Sequence, residues 1–258
     1  MIIFPHIPKT AGTTLKFILR NNFGRKHIDA IKTLRSPYTR NDLEFAQKIF
    51  RNPVAITGHN LVDPVNNLAD EGDKLITILR NPVIRCVSHY QDDMVRGNIK
   101  LSFAEWIGKE ENQNLSVKII AGSDDLEKAK LVLRQKFLFV GITENFSDSL
   151  KLLKLCLDIP LNLLHRKLIV ARDNTIKEKL LKDPASVRLL EQHNELDQQL
   201  YDYVLQEIFL PSVKAHTRSL QQITVPPPTS VRRNETNLRK SVRFNKFVYR
   251  QLIKITGK

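Results

Sequence analysis

The 258 residues are 41% hydrophobic and 26% charged, which supplies a real core and suits one decorated domain better than a minimal module or two full domains. Lys and Arg number 41 against 27 Asp and Glu, a formal charge of +14, so the expected partners are anionic: a phosphorylated nucleotide, a polyanionic glycan, nucleic acid or an acidic membrane face. The opening MIIFPHIPKTAGTT lacks a secretory signal, and no run approaches the roughly 18 apolar residues of a membrane span, so a cytoplasmic protein is expected, or a Golgi-lumenal one if an anchor precedes it.

In chain order, residues 2–7 form an apolar run that stops at Pro8, and from Thr13 the spacing turns helical through Leu15, Ile18, Leu19 and Phe23. A second helix begins at Asn41, with Leu43, Phe45, Ala46 and Ile49 on its apolar face. After Pro53, residues 54–57 make a second strand that ends at Gly58-His59. The third strand, 75–79, runs into Arg80-Asn81-Pro82, where Pro82 suits the first turn of a helix. Ser102 and Glu105 form a capping-box pair, and Ser123 precedes a helix running through Leu133. A fourth strand at 137–140, a helix at 145–157, a fifth strand at 167–171 and a long helix from Asp183-Pro184 to about Phe209 follow. Strands alternating with helices predict an α/β fold of three layers, with a central parallel sheet of about five strands covered on both faces.

Two segments of unequal kind result: a domain at 1–223 and an extension at 224–258. The extension opens on Pro226-Pro227-Pro228, which no helix can continue, and carries nine Lys/Arg against one acid, Glu235. It is expected to pack back on the domain, to gather an anionic acceptor or to touch acidic lipid. Cys86 and Cys156 lie in apolar helical patterns and read as reduced core residues.

Chemistry concentrates where strands end. The first loop and helix start read His6-Ile7-Pro8-Lys9-Thr10-Ala11-Gly12-Thr13-Thr14. Small residues opening straight into a helix expose backbone N–H groups at the positive end of its dipole, a ready phosphate site. Gly12 admits an anion closely, Thr13 and Thr14 add hydroxyl donors and Lys9 adds a point charge. The alternative is a tight turn with a capping threonine. An ATP-type loop requires Lys after the second glycine, whereas Lys9 precedes Gly12.

The string PKTAGTT resembles the 5′-phosphosulfate loop of sulfotransferases that use 3′-phosphoadenosine 5′-phosphosulfate (PAPS), in particular carbohydrate sulfotransferases of the heparan sulfate 2-O-sulfotransferase type and bacterial relatives. A second motif, LRNPVIRCVSHY at 79–90, carries the same resemblance. In that family an Arg closing the third strand and a Ser eight residues later grip the 3′-phosphate, and Arg80 and Ser88 have that spacing. Eight residues span about two helical turns, and an arginine offers a dianion paired, charge-assisted hydrogen bonds. The resemblance therefore implies a P-loop-like fold, PAPS as donor, a hydroxyl acceptor expected to be carbohydrate, and a donor site formed by Lys9, Thr10, Ala11, Gly12, Thr13, Thr14, Arg80 and Ser88.

His59 follows the second strand at the edge where ligands of open parallel sheets bind. A neutral imidazole there can take the proton of an attacking hydroxyl, and the resembling enzymes place their general base in a similar Gly-His context. The resemblance further implies direct in-line displacement, with Lys9 at the bridging oxygen where negative charge gathers. His89 is expected to face about 100° away from Ser88, His27, His165, His193 and His216 to lie in polar surroundings, and His6 to be structural. Glu144 reads as architectural, and 114–122 as a loop before a helix. Without a Cys/His cluster or spaced carboxylates, a metal is not expected. Two other readings compete: a small-molecule kinase on a similar loop, and a basic glycan- or nucleic-acid-binding module acting through the extension.

Overall fold

The computed structural model describes residues 1–30, 37–97, 99–165, 174–228, 243–245 and 247. Five strands form one sheet in the order β2-β3-β1-β4-β5, every pair parallel. They are β1 (Ile2–Pro5), β2 (His27–Asp29), β3 (Ala55–Gly58), β4 (Lys74–Leu79) and β5 (Phe137–Ile142). Helices flank the sheet, so its strands are almost wholly buried and read as nearly unbroken apolar runs rather than alternating ones. The α/β expectation holds in full.

Strand β2 was not foreseen, because two of its three residues, His27 and Asp29, are polar. Both are buried nonetheless. Asp29 pairs with Lys16 at 3.1 Å and with Arg20, and His27 lies 3.3 Å from the Thr57 hydroxyl. The strand expected at 167–171 falls outside the described residues.

The helices are α1 (Gly12–Phe23), α2 (Arg40–Ile49), α3 (Pro64–Asn67), α4 (Pro82–Val95), α5 (Phe103–Ile107), α6 (Leu115–Ala121), α7 (Leu126–Lys136), α8 (Phe146–Leu157), α9 (Thr175–Lys182), α10 (Pro184–His193), α11 (Glu195–Tyr203), α12 (Leu210–Ala215) and α13 (Thr217–Gln222). Local signals fix several starts. Thr39 with Asp42 and Ser102 with Glu105 form reciprocal capping boxes, and Asp125 and Asp183 cap α7 and α10.

Two expectations fail for identifiable reasons. Segment 114–122 is not a loop but helix α6, framed by left-handed residues at Asn114 (φ 46°) and Gly122 (φ 78°). The long helix expected after Pro184 is broken at Asn194, whose buried side chain donates to Leu190 O and accepts from Arg85; beyond α11 the chain continues as a π-helical stretch, Val204–Phe209.

Strands β1, β3, β4 and β5 share one core with Leu15, Ile18 and Leu19 of α1 and with Leu150, Leu152 and Leu153 of α8. A smaller cluster sets the far side of α4, where Cys86, Val87 and Tyr90 meet Phe103, Trp106, Ile107 and Leu190. Both cysteines are free thiols, and burial pushes Cys86 up to about 11. Residues 244–245 of the extension lie on the β2 edge of the sheet: the Asn245 carboxamide accepts from Asp29 N (2.7 Å) and donates to His27 O (3.0 Å), while Phe244 packs edge-on to Phe50. No helix among the described residues is long and apolar enough to cross a membrane.

Candidate active site

Strand β1 ends in the middle of the sheet, and the chain must turn back sharply into α1. It does so with left-handed residues at Lys9 (φ 66°) and Ala11 (φ 62°). Such alternation curls successive amides round a concavity suited to an anion. Thr10 is buried and donates its hydroxyl to Ile7 O at 2.9 Å, so it braces the turn from within. Helix α1 has no side-chain cap and no acid in its first turn, and the amides of Gly12 and Thr13 precede the first intrahelical bonds. Thr13 and Thr14 are half-buried beside them. Gly12 has a further cause besides close approach of an anion: a Cβ there would stand 1.9 Å from His6 Cδ2.

Next door, β4 delivers Arg80. Its Nη1 donates to Lys9 O at 3.1 Å, so the two expected halves of the site are in direct contact. Asn81 caps α4 by accepting from Ile84 N. Ser88, half-buried, lies seven residues beyond Asn81, almost two full turns, and therefore on the same helix face about 10 Å along the axis. Lys9 Nζ lies 3.5 Å from Asp92 of the same helix.

On the other side of β1, β3 ends in Gly58 and presents His59. Its ring packs against the buried His6 ring, centroids 4.0 Å apart and planes tilted by 32°, and its Nδ1 lies 2.5 Å from His6 O. A carbonyl only accepts, so Nδ1 carries the hydrogen and Nε2 keeps its lone pair. The residue reaches solvent, yet packing against His6 desolvates the imidazole and pulls its pKa down; the bond to His6 O opposes this and the Lys16 charge adds to it. His6 is held well below its ordinary value, by burial first and then by His59, Lys16 and Lys9. A neutral imidazole thus stands beside a loop whose amides are free of intrahelical partners.

A sequence profile of the Sulfotransferase family matches residues 1–204. The chain belongs to the sulfotransferase family. It is therefore a transferase, and its general chemistry is sulfuryl transfer. A search of curated proteins finds no match. Among solved structures, the chain is similar to the crystal structure of a sulfotransferase from Alicyclobacillus acidocaldarius, with 15% identity and a TM-score of 0.42 over 74% of this chain and 94% of that one.

Several groups of this sulfotransferase were not foreseen. His89 was read as a weak candidate; burial first, and then the charges on Arg85, Lys9 and His59, hold its pKa down to about 3, and its ring stands edge-on to Trp106. His27, His165 and His216, expected to lie without partners, each have one: His27 lies beside the Thr57 hydroxyl, and the Nδ1 atoms of His165 and His216 donate to Leu163 O and Ser212 O, with His27 and His165 buried. Arg85 is fully buried, 3.1 Å from Asn194 Oδ1 and 3.6 Å from Asp197, which also accepts from Ser116 N and Val117 N. Asp92 and Glu144 flank Lys9 and Asn81. Asp92 lies inside a helix and Glu144 in the turn after β5, and neither position signals locally what it will meet; the parallel β1–β4 and β4–β5 pairings bring their elements beside Lys9 and Asn81.

Proposed function

We propose that this sulfotransferase transfers the sulfuryl group of PAPS to a hydroxyl of a carbohydrate or glycoconjugate, with His59 as general base. One observation supports the reading above others: β3, β1 and β4 are adjacent, and their ends carry a histidine with a free Nε2, an amide-lined loop with a lysine, and an arginine bonded to that loop.

In this reading the amides of Gly12 and Thr13, the backbone of Thr10 and Ala11 and the hydroxyls of Thr13 and Thr14 hold the 5′-phosphosulfate. Lys9 leaves Asp92 to meet the bridging oxygen, whose negative charge grows as the S–O bond breaks. Arg80 and Ser88 take the 3′-phosphate. His59 removes the acceptor proton as the hydroxyl oxygen bonds to sulfur, and adenosine 3′,5′-bisphosphate leaves with the bridging oxygen. The chain's contribution is positioning and fixed charge. Residues 1–223 do this work, and the basic extension gathers an anionic acceptor.

The test is a thermal-shift comparison followed by turnover. Adenosine 3′,5′-bisphosphate should stabilise the protein where ATP with magnesium does not, and labelled PAPS should mark a glycan or glycolipid in preference to simple alcohols. Stabilisation by ATP with magnesium alone would favour a kinase, and label on simple alcohols alone would remove the carbohydrate assignment.

A further inference from the structure

Glu144 lies directly behind the Arg80–Asn81 turn. Its Oε1 accepts from Asn81 N and its Oε2 from the Tyr201 hydroxyl, each at 3.1 Å. Burial, and then the Glu144 charge, raise the Tyr201 pKa, so the phenol keeps its proton and remains a donor. The same carboxylate is felt by Arg80, whose Nη1 nevertheless bonds to Lys9 O. Neighbouring groups are anchored at both ends. Thr143 N and Oγ1 both donate to Leu79 O, and Tyr201 stands one turn beyond Asp197, which ties α11 to the start of α6 and faces Arg85.

A carboxylate bonded to the residue that follows an arginine stands where it can compete for it. Free to turn, Glu144 would form a charge-assisted pair with the guanidinium and oppose any dianion approaching the same group. Two donors, one from the backbone and one from Tyr201, keep it turned the other way. We infer that Tyr201 is a positioning residue for donor binding: its hydroxyl holds the Glu144 carboxylate against Asn81, so that Glu144 braces the turn and Arg80 stays available to the 3′-phosphate. The inference rests on the proposed reading of Arg80.

The experiment titrates the full chain calorimetrically with adenosine 3′,5′-bisphosphate and with adenosine 5′-phosphate. Wild type should prefer the bisphosphate. Tyr201→Phe should weaken bisphosphate binding by about 10–100-fold at most, the worth of one hydrogen bond to a charged group, and leave the 5′-phosphate affinity unchanged. Adding Glu144→Gln to Tyr201→Phe should restore bisphosphate binding, because a loose amide cannot neutralise Arg80. Equal losses for both nucleotides, or a double variant no better than the single one, would reduce Tyr201 to a fold-supporting residue and overturn the inference. A wild type indifferent to the 3′-phosphate would overturn the reading of Arg80 itself.

Discussion

In the proposed mechanism His59 would owe its readiness as a base to the backbone of His6 rather than to a carboxylate. His6 O fixes the Nδ1–H tautomer, and desolvation against His6 keeps the ring neutral. Because the pKa is lowered, the acidic limb of kcat/KM against pH should lie below about 6.5, the ordinary histidine value. His59→Ala should lower kcat by about 10²–10⁴-fold while adenosine 3′,5′-bisphosphate still binds as before. Parallel loss of binding and turnover would instead make His59 a support for the loop. At this scale much was legible in the sequence. Lys9, Arg80 and His59 each sit in a short stretch whose strand-to-loop reading comes from local pattern, and the structure brings all three to adjacent strand ends. The contact between Gly12 and His6 was not legible, since it depends on where a side chain six residues earlier folds over the turn.

Helix α4 is the element on which the proposed donor site depends, since it carries Ser88 and Asp92 and its cap directly follows Arg80. It is pinned through Arg85, whose buried guanidinium faces Asn194 and Asp197 and whose Nε and Nη1 have no partner among the described residues. Asp197→Ala would leave that charge buried and unpaired and would orphan two amides of α6. A loss of about 3–5 kcal/mol is expected, read as a lowered denaturation midpoint. A loss below about 1 kcal/mol would show that α4 is held by apolar packing alone. Capped helix starts such as Ser102 and Asp183 were readable because a cap and its amide are three residues apart. The break at Asn194 was not, because Arg85 reaches it across 109 positions of sequence. Strand β2 escaped for the same reason: His27 and Asp29 become buriable only through Thr57, Lys16 and Arg20.

Across the whole molecule, a positively charged chain holds several histidines neutral, His6 and His27 by full burial, His89 by partial burial and His59 while its edge still reaches solvent. His6, His27, His59 and His89 all have lowered pKa values, those of His27 and His89 reaching about 3. The unfolded chain protonates each near pH 6.5, whereas the fold resists it. Stability is thus complete above about pH 6.5 and lost as pH falls below it, by up to about 1.4 kcal/mol per pH unit for a fully buried ring such as His27, and by less for the solvent-exposed His59. Urea midpoints should fall steeply from about pH 6.5 to 4.5, and His27→Gln should flatten that slope by one proton. A midpoint unchanged over this range would contradict the burial of these rings.

The central claim is that one mononucleotide spans the ends of β1 and β4. A crystal structure with adenosine 3′,5′-bisphosphate bound tests it most directly. The 5′-phosphate should rest on the amides of Gly12 and Thr13 beside Lys9, with the 3′-phosphate in hydrogen-bonding reach of Arg80 and Ser88 and His59 Nε2 facing the sulfuryl position. A nucleotide bound elsewhere, or one whose 3′-phosphate points away from Arg80, would contradict the account.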